Sequence, residues 1–233
     1  MNPIKSTGRI LGILFLFQFL ISILINLFLL GPALFDSDFL ANIADSSSKI
    51  VTSTLFSFVS SAISIVGALL LLSIVTSFNK NIALAYLAFS IIGFTATLVD
   101  NTLILSMLSI SKEYSISDAG NIEYFKFLGA ILQETRGWTH IMDMLLGCFP
   151  LLAFFYLMYT SKYIPKALSI WGILGAILML INVVLSFYEK GQMILYSPIG
   201  LAQIFLSIWL IIKGFKPSNS PTTSSKQQEK LIK

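Results

Sequence analysis

Six apolar runs, each long enough to cross a bilayer, leave this chain almost no other way to fold. They lie at about 10–31, 53–75, 82–108, 136–159, 166–188 and 194–212. A spanning helix needs about 20 mostly apolar residues. The stretches between the runs are too short to build a soluble domain. Composition agrees: 56% of the 233 residues are hydrophobic and only 11% are charged, against roughly a quarter charged in soluble domains. Mean hydropathy is +0.85. A soluble globule, a disordered chain and a collagen-like rod are excluded. The expected fold is all-α, a polytopic bundle of six transmembrane helices over residues 1–213. Residues 214–233 are rich in Ser, Thr, Pro, Gln and Lys and are expected to form a disordered cytoplasmic tail.

The first run follows Lys5 and Arg9, as a signal peptide would. It is about twice the usual length of an h-region, which is roughly 7 to 15 residues, and it ends at Gly31-Pro32 with no cleavage pattern. It is expected to stay as an uncleaved anchor and become the first helix.

Basic residues set the orientation. With the N-terminus cytoplasmic, ten of the fifteen Lys and Arg fall on the cytoplasmic side, with Glu229 the sole acid there. The other side holds Lys49, Lys112, Lys126, Arg136 and Lys190 against eight acids. The sequence pI of about 9.1 is thus a topology signal, and no nucleic-acid partner is expected. Both termini are expected inside a cytoplasmic membrane, with the lipid bilayer as the main partner. The connections are expected to include a tight turn at Ser77–Asn81 and an external amphipathic helix around Asp36…Phe39-Leu40…Ile43-Ala44. A second amphipathic stretch is expected at Ile122–Gln133. At Tyr159–Lys166, two tyrosines and two lysines are expected to anchor the interface.

The polar residues inside the runs recur at steps of three and four, which keeps them on one helix face. Gln18, Ser22 and Asn26 align in the first run, and Ser57, Ser61 and Ser64 in the second. Tyr86, Ser90, Gly93, Thr97 and Asp100 align in the third, with Asn101 adjacent. Arg136, His140, Asp143 and Gly147 mark the fourth. Asn182 and Ser186 mark the fifth, and Tyr196, Gly200, Gln203 and Ser207 the sixth. Membrane helices pack through small and polar faces, so these faces should turn inward. Asn26, Asp100, Asn101, Arg136, His140, Asp143 and Asn182 fall in the outer half, and Gln203 near the middle. Together they are expected to form a polar pocket facing outward, closed on the cytoplasmic side by apolar packing. An aspartate at mid-helix depth costs about 2.5–3.5 kcal/mol. Arg136 is therefore expected to neutralise Asp100 or Asp143, and His140 to hydrogen-bond one of them.

Three functional readings fit those residues. They form a pocket for a small molecule or ion, or a purely structural or partner-binding network, or an intramembrane enzyme with His140 as base. Motifs favour the first two. One His and one Cys suit no zinc site, no metal or cofactor is expected, and His140-Ile141-Met142-Asp143 stands where a zincin would need H-E-x-x-H.

Two blocks carry a family resemblance. The first is Gly8-Arg9-Ile10-Leu11-Gly12. The second runs from Gly147 through Tyr156, Tyr159, Ser161, Lys162, Tyr163, Ile164, Pro165 and Lys166 to Gly172. They resemble the opening and the central stretch of a bacterial family of six-span membrane proteins, catalogued as domain of unknown function family 4386. The sequence departs from the family pattern with Lys166 for arginine, Ile164 for leucine and Ser169 near a glycine. The resemblance extends from about residue 7 to 213. It implies a bacterial inner-membrane protein with six helices and carries over no activity, substrate or catalytic residue.

Overall fold

The computed structural model describes residues 3–34, 38–118 and 120–216. Asp36 and the tail from Pro217 to Lys233 lie outside the described residues. Six helices are long and apolar enough to cross a membrane. They are α1 (Pro3–Leu34), α3 (Ser47–Thr76), α4 (Phe78–Ile116), α5 (Ile122–Ser161), α6 (Lys166–Ser186) and α7 (Met193–Lys213). A short helix, α2 (Phe39–Asp45), precedes α3. The described residues contain no strand, so the protein is an all-α, multi-pass membrane bundle.

Short connections force successive helices to lie antiparallel side by side. α3 passes into α4 at Asn79, whose backbone leaves the helical region (φ −155°, ψ 91°). The Asn79 side chain then accepts the Ile82 N–H at 3.1 Å, which caps the first turn of α4. α5 ends on Lys162, in the left-handed conformation, whose N–H bonds the Met158 carbonyl at 3.1 Å. Pro165 then stands immediately before α6.

Each helix also touches the next across the bundle, and the last closes on the first. Gln18 of α1 bonds Ser64 of α3, Asn101 of α4 bonds the Thr54 carbonyl of α3, and Arg136 of α5 pairs with Asp100 of α4. Gly172 of α6 sits against Phe155 of α5, and Gly175 of α6 against Ile199 of α7. The ring closes where Gly8 and Gly12 of α1 meet the end of α7. A Cβ at Gly12 would lie 2.7 Å from the Leu210 Cβ and 2.9 Å from both the Ile211 N and the Ser207 carbonyl oxygen. Only glycine allows the two backbones to come so close. Arg9, between the two glycines, donates to the Ile212 carbonyl at 3.4 Å, near the C-terminal end of α7 where such carbonyls lack helical partners.

Apolar side chains fill both ends of the ring. One cluster, including Leu71, Val75, Leu157, Met158, Leu210 and Phe215, occupies the end where the N-terminus, the α3–α4 turn and the α5–α6 turn meet. The other, around Leu34, Ile43, Ile50, Ile104 and Met107, occupies the opposite end beneath α2. The outward faces remain apolar, as at Ile13, Leu20, Leu27, Leu69 and Leu174, which suits lipid.

Three features differ from expectation. Gly31-Pro32 does not end the first helix. A π-helical turn at Ile25–Leu29 shifts the hydrogen-bond register, and a further helical turn, Gly31–Leu34, follows. Pro32 is tolerated there because the first turn of a helix needs no N–H from it. A Cβ at Gly31 would collide with the Asn26 carbonyl, so the register change also demands glycine. Secondly, Ile122–Gln133 is no separate amphipathic element but the first three turns of α5. Hydropathy marks only the part of a helix immersed in lipid, whereas backbone hydrogen bonding continues beyond it. Thirdly, Tyr163 is no interfacial anchor. It is buried, packs on Phe78 and Phe215 at centroid distances of 5.3 Å, and donates its hydroxyl to the Ile74 carbonyl at 3.0 Å. That carbonyl lies near the end of α3, so the bond ties the α5–α6 connection to α3. Burial pushes the Tyr163 phenol above its ordinary pKa.

Candidate functional site

The interior of the ring is not filled. A cavity of about 480 Å³ lies between the two apolar clusters and takes lining residues from all six spanning helices. Gln18, Ser64, Thr97, Asp143, Met179 and Gln203 each represent one of them. The size falls within the range of roughly 300–1,000 Å³ typical of small-molecule sites. Two glycines help to keep it open: a Cβ at Gly93 or at Gly147 would meet nothing within 4 Å. Pro150 also lines it. As a proline it withholds the N–H that would serve the Leu146 carbonyl, so that α5 has a gap in its hydrogen-bond ladder beside the cavity.

The lining combines hydroxyls and amides with aromatic rings. Gln18 donates to the Ser60 carbonyl at 2.7 Å and to the Ser64 hydroxyl at 2.8 Å. Phe15 meets Phe154 edge-on at a centroid distance of 5.3 Å, and Phe154 lies 5.8 Å from Tyr86. Asp143 carries the lining's one carboxylate, and no Lys, Arg or His is among the lining residues. Thr97 places its hydroxyl 3.1 Å from Asp143 Oδ1 and 3.1 Å from the Gly93 carbonyl. A hydroxyl has one proton to give, so this donor is shared.

The other charged residues form a separate group toward the α2 end. Asp100 lies one turn beyond Thr97 on α4 and is almost fully buried. Its Oδ2 is 3.3 Å from Arg136 Nη2, and its Oδ1 accepts the Thr139 hydroxyl at 3.2 Å. His140 Nδ1 stands 3.8 Å from the same Oδ2, beyond hydrogen-bond range, and has no hydrogen-bond partner among the described residues. Arg136 thus neutralises Asp100, and the expected hydrogen bond from His140 to a carboxylate does not form. The ring is carried alongside the pair, one turn along α5 from Arg136, without reaching it.

Of the eight residues proposed to share one pocket, Asp143 and Gln203 line the cavity, while Asp100, Arg136 and His140 form the neighbouring cluster. The remaining three do neither. Asn101 donates to the Thr54 carbonyl at 3.3 Å and ties α4 to α3. Asn26 is exposed and bonds back to the Ser22 carbonyl of its own helix at 2.9 Å. Asn182 is fully buried and accepts the Gln192 N–H at 2.8 Å, which holds the α6–α7 connection. A stripe of polar residues identifies an inward face, but not which neighbour that face meets. The polar lining also reaches deeper than expected, to Tyr86 and Ser90.

Sequence reasoning missed two kinds of residue. Thr139 shows no stripe signal that separates it from an ordinary helical threonine. The phenylalanines of the lining carry no signal of their own, because hydropathy scores an apolar ring alike on either side of a helix. Among the described residues no three His, Cys, Asp or Glu side chains gather as a metal site would need.

No curated protein and no solved structure matches the chain. The model of the family described as Domain of unknown function (DUF4386) matches residues 10–214. That stretch takes in the cavity, the ion pair beside it and nearly all of the six helices, and the chain belongs to this family.

Proposed function

We propose that the protein binds a small organic molecule in the cavity at the centre of its membrane bundle. The carrying observation is that six helices, several of them joined closely through glycines, leave about 480 Å³ open between the two apolar clusters. The Asp100–Arg136 pair has the opposite character. It is buried, mutually neutralising and absent from the lining, which supports a structural role for it in fixing α4 against α5. An intramembrane hydrolase with His140 as base has no support of this kind, since the buried Nδ1 of that ring has no hydrogen-bond partner among the described residues.

Gly147→Leu tests the cavity directly. The new side chain enters open space, so thermal unfolding is expected to stay unchanged or rise slightly, since glycine costs a helix about 1 kcal/mol relative to better formers. Suitable probes are an environment-sensitive neutral naphthalene dye, its carboxylate and its trimethylammonium derivative, each titrated into protein in lipid nanodiscs. At least one is expected to show a saturable blue shift with wild type that disappears with Gly147→Leu. Identical titrations for the two proteins with all three dyes would overturn the proposal.

The proposed setting is the inner membrane of a bacterium, with both termini cytoplasmic. The partition of Lys and Arg supports that orientation. A reporter that works only in the periplasm is expected to be active when inserted at the exposed Gly120 and silent when fused after Lys233. The reverse pattern would refute the orientation.

A further inference from the structure

We infer that the occupant of the cavity is an organic cation, an amine or quaternary ammonium on an apolar body, seated with its charge against Asp143. This rests on the cavity reading above and adds the chemistry of the ligand. Two aspartates lie within the spans, and their surroundings differ in kind. Asp100 has a guanidinium on one oxygen and a hydroxyl on the other. Asp143 has only the shared proton of Thr97, on Oδ1, and among the described residues no Lys, Arg or His nitrogen lies within 4 Å of it. A carboxylate at this depth is costly without a counter-charge, and Asp143 lines the cavity.

The walls narrow the choice. Phe15, Phe89, Phe94 and Phe154 surround the space, and the faces of aromatic rings attract cations and repel anions. A phosphate or carboxylate ligand would meet a like charge with no basic residue in the lining to offset it. A neutral ligand would leave Asp143 without a cation in contact with it. A bare divalent metal ion is poorly served, because the lining offers it one carboxylate and among the described residues no three His, Cys, Asp or Glu side chains gather as a metal site would need. An alkylammonium or arylammonium satisfies both features at once, the charge on Asp143 and the body on the rings. For a ligand with N–H groups, the amides of Gln18 and Gln203 add acceptors on α1 and α7.

The three naphthalene dyes separate this inference from the reading beneath it. Wild-type protein in nanodiscs is expected to bind the trimethylammonium dye at least about tenfold more tightly than the neutral one, with the carboxylate weakest. Asp143→Asn is expected to bring the cationic and neutral dyes to within about twofold of each other, and Asp143→Glu to restore the preference. The wild-type preference needs no variant, so the inference is tested even where Asp143→Asn fails to fold. Equal affinity of wild type for the cationic and neutral dyes, or a preference that survives in Asp143→Asn, overturns the organic-cation assignment. If the neutral dye still binds and Gly147→Leu abolishes it, the cavity reading stands while the charge assignment falls. If no dye tells wild type from Gly147→Leu, both fall.

Discussion

Arg136→Met is expected to destabilise the protein by about 3–5 kcal/mol, the usual cost of stripping one partner from a buried ion pair. Asp100 is nearly inaccessible, and Thr139 would be its one remaining donor. The lost guanidinium leaves a buried carboxylate whose remaining potential counter-ion, His140, stands 3.8 Å away. Thermal unfolding in detergent should fall by on the order of 10 °C. The informative comparison is the double variant Asp100→Leu/Arg136→Met. Replacing both members of a buried pair by apolar groups is often neutral or favourable, and membrane interiors accept leucine readily. The double variant should therefore be more stable than Arg136→Met alone, with a coupling of several kcal/mol. A double variant as unstable as the sum of its parts would mean that the pair has no mutual dependence and that other contacts hold α4 to α5. Dye binding should survive in the double variant, because neither residue lines the cavity.

Gly12→Val is expected to be strongly damaging, because Gly12 sits in the close α1–α7 seam. Its Cβ alone would lie within 3 Å of two backbone atoms of α7 and of the Leu210 Cβ, and backbone cannot rotate away as a flexible side chain can. Overpacking of this kind typically costs 1–3 kcal/mol and occasionally more. Here the cost falls on the contact that joins the first spanning helix to the last. Separation of the two helices would open the ring itself, so loss of monodisperse elution should accompany the fall in unfolding temperature. Gly93→Ala is the matched control: its Cβ meets nothing within 4 Å, and the substitution should be neutral or mildly stabilising. If Gly12→Val behaves like Gly93→Ala, the close seam between α1 and α7 does not exist in the membrane.

The sequence reveals helical class, span number and inward polar faces because each is a property of one segment. Twenty apolar residues declare a span, and a step of three or four declares a face. Arg136 was recognisable as a counter-ion because an intramembrane aspartate demands one. Its choice of Asp100 over Asp143 was not readable, since both lie on faces turned inward and the answer depends on the register of α4 against α5. The same limit separates Asn101, Asn26 and Asn182 from the cavity. Each has a polar stripe, but one meets a backbone carbonyl of a neighbour, one its own helix, and one a loop. Tyr163 shows the converse. Beside Lys162 and Lys166 it has the surroundings of an interfacial residue, yet its hydroxyl turns inward to the Ile74 carbonyl across the bundle.

The unusual length of α4 and α5 has a mechanical consequence. Each holds about 40 residues, or roughly 60 Å at 1.5 Å per residue, twice the thickness of the hydrocarbon layer at about 30 Å. From Thr97 to the end of α4, and from the start of α5 to Asp143, is roughly 30 Å of unbroken helix in each case. The two are cross-braced at Asp100–Arg136 and Thr97–Asp143. This hairpin is a lever with its tip in water and its fulcrum at the cavity. By that arm, a sideways displacement of about 3 Å at the tip corresponds to a tilt of about 6° in the wall that carries Asp143. Force applied outside the bilayer would therefore reach the carboxylate as rotation.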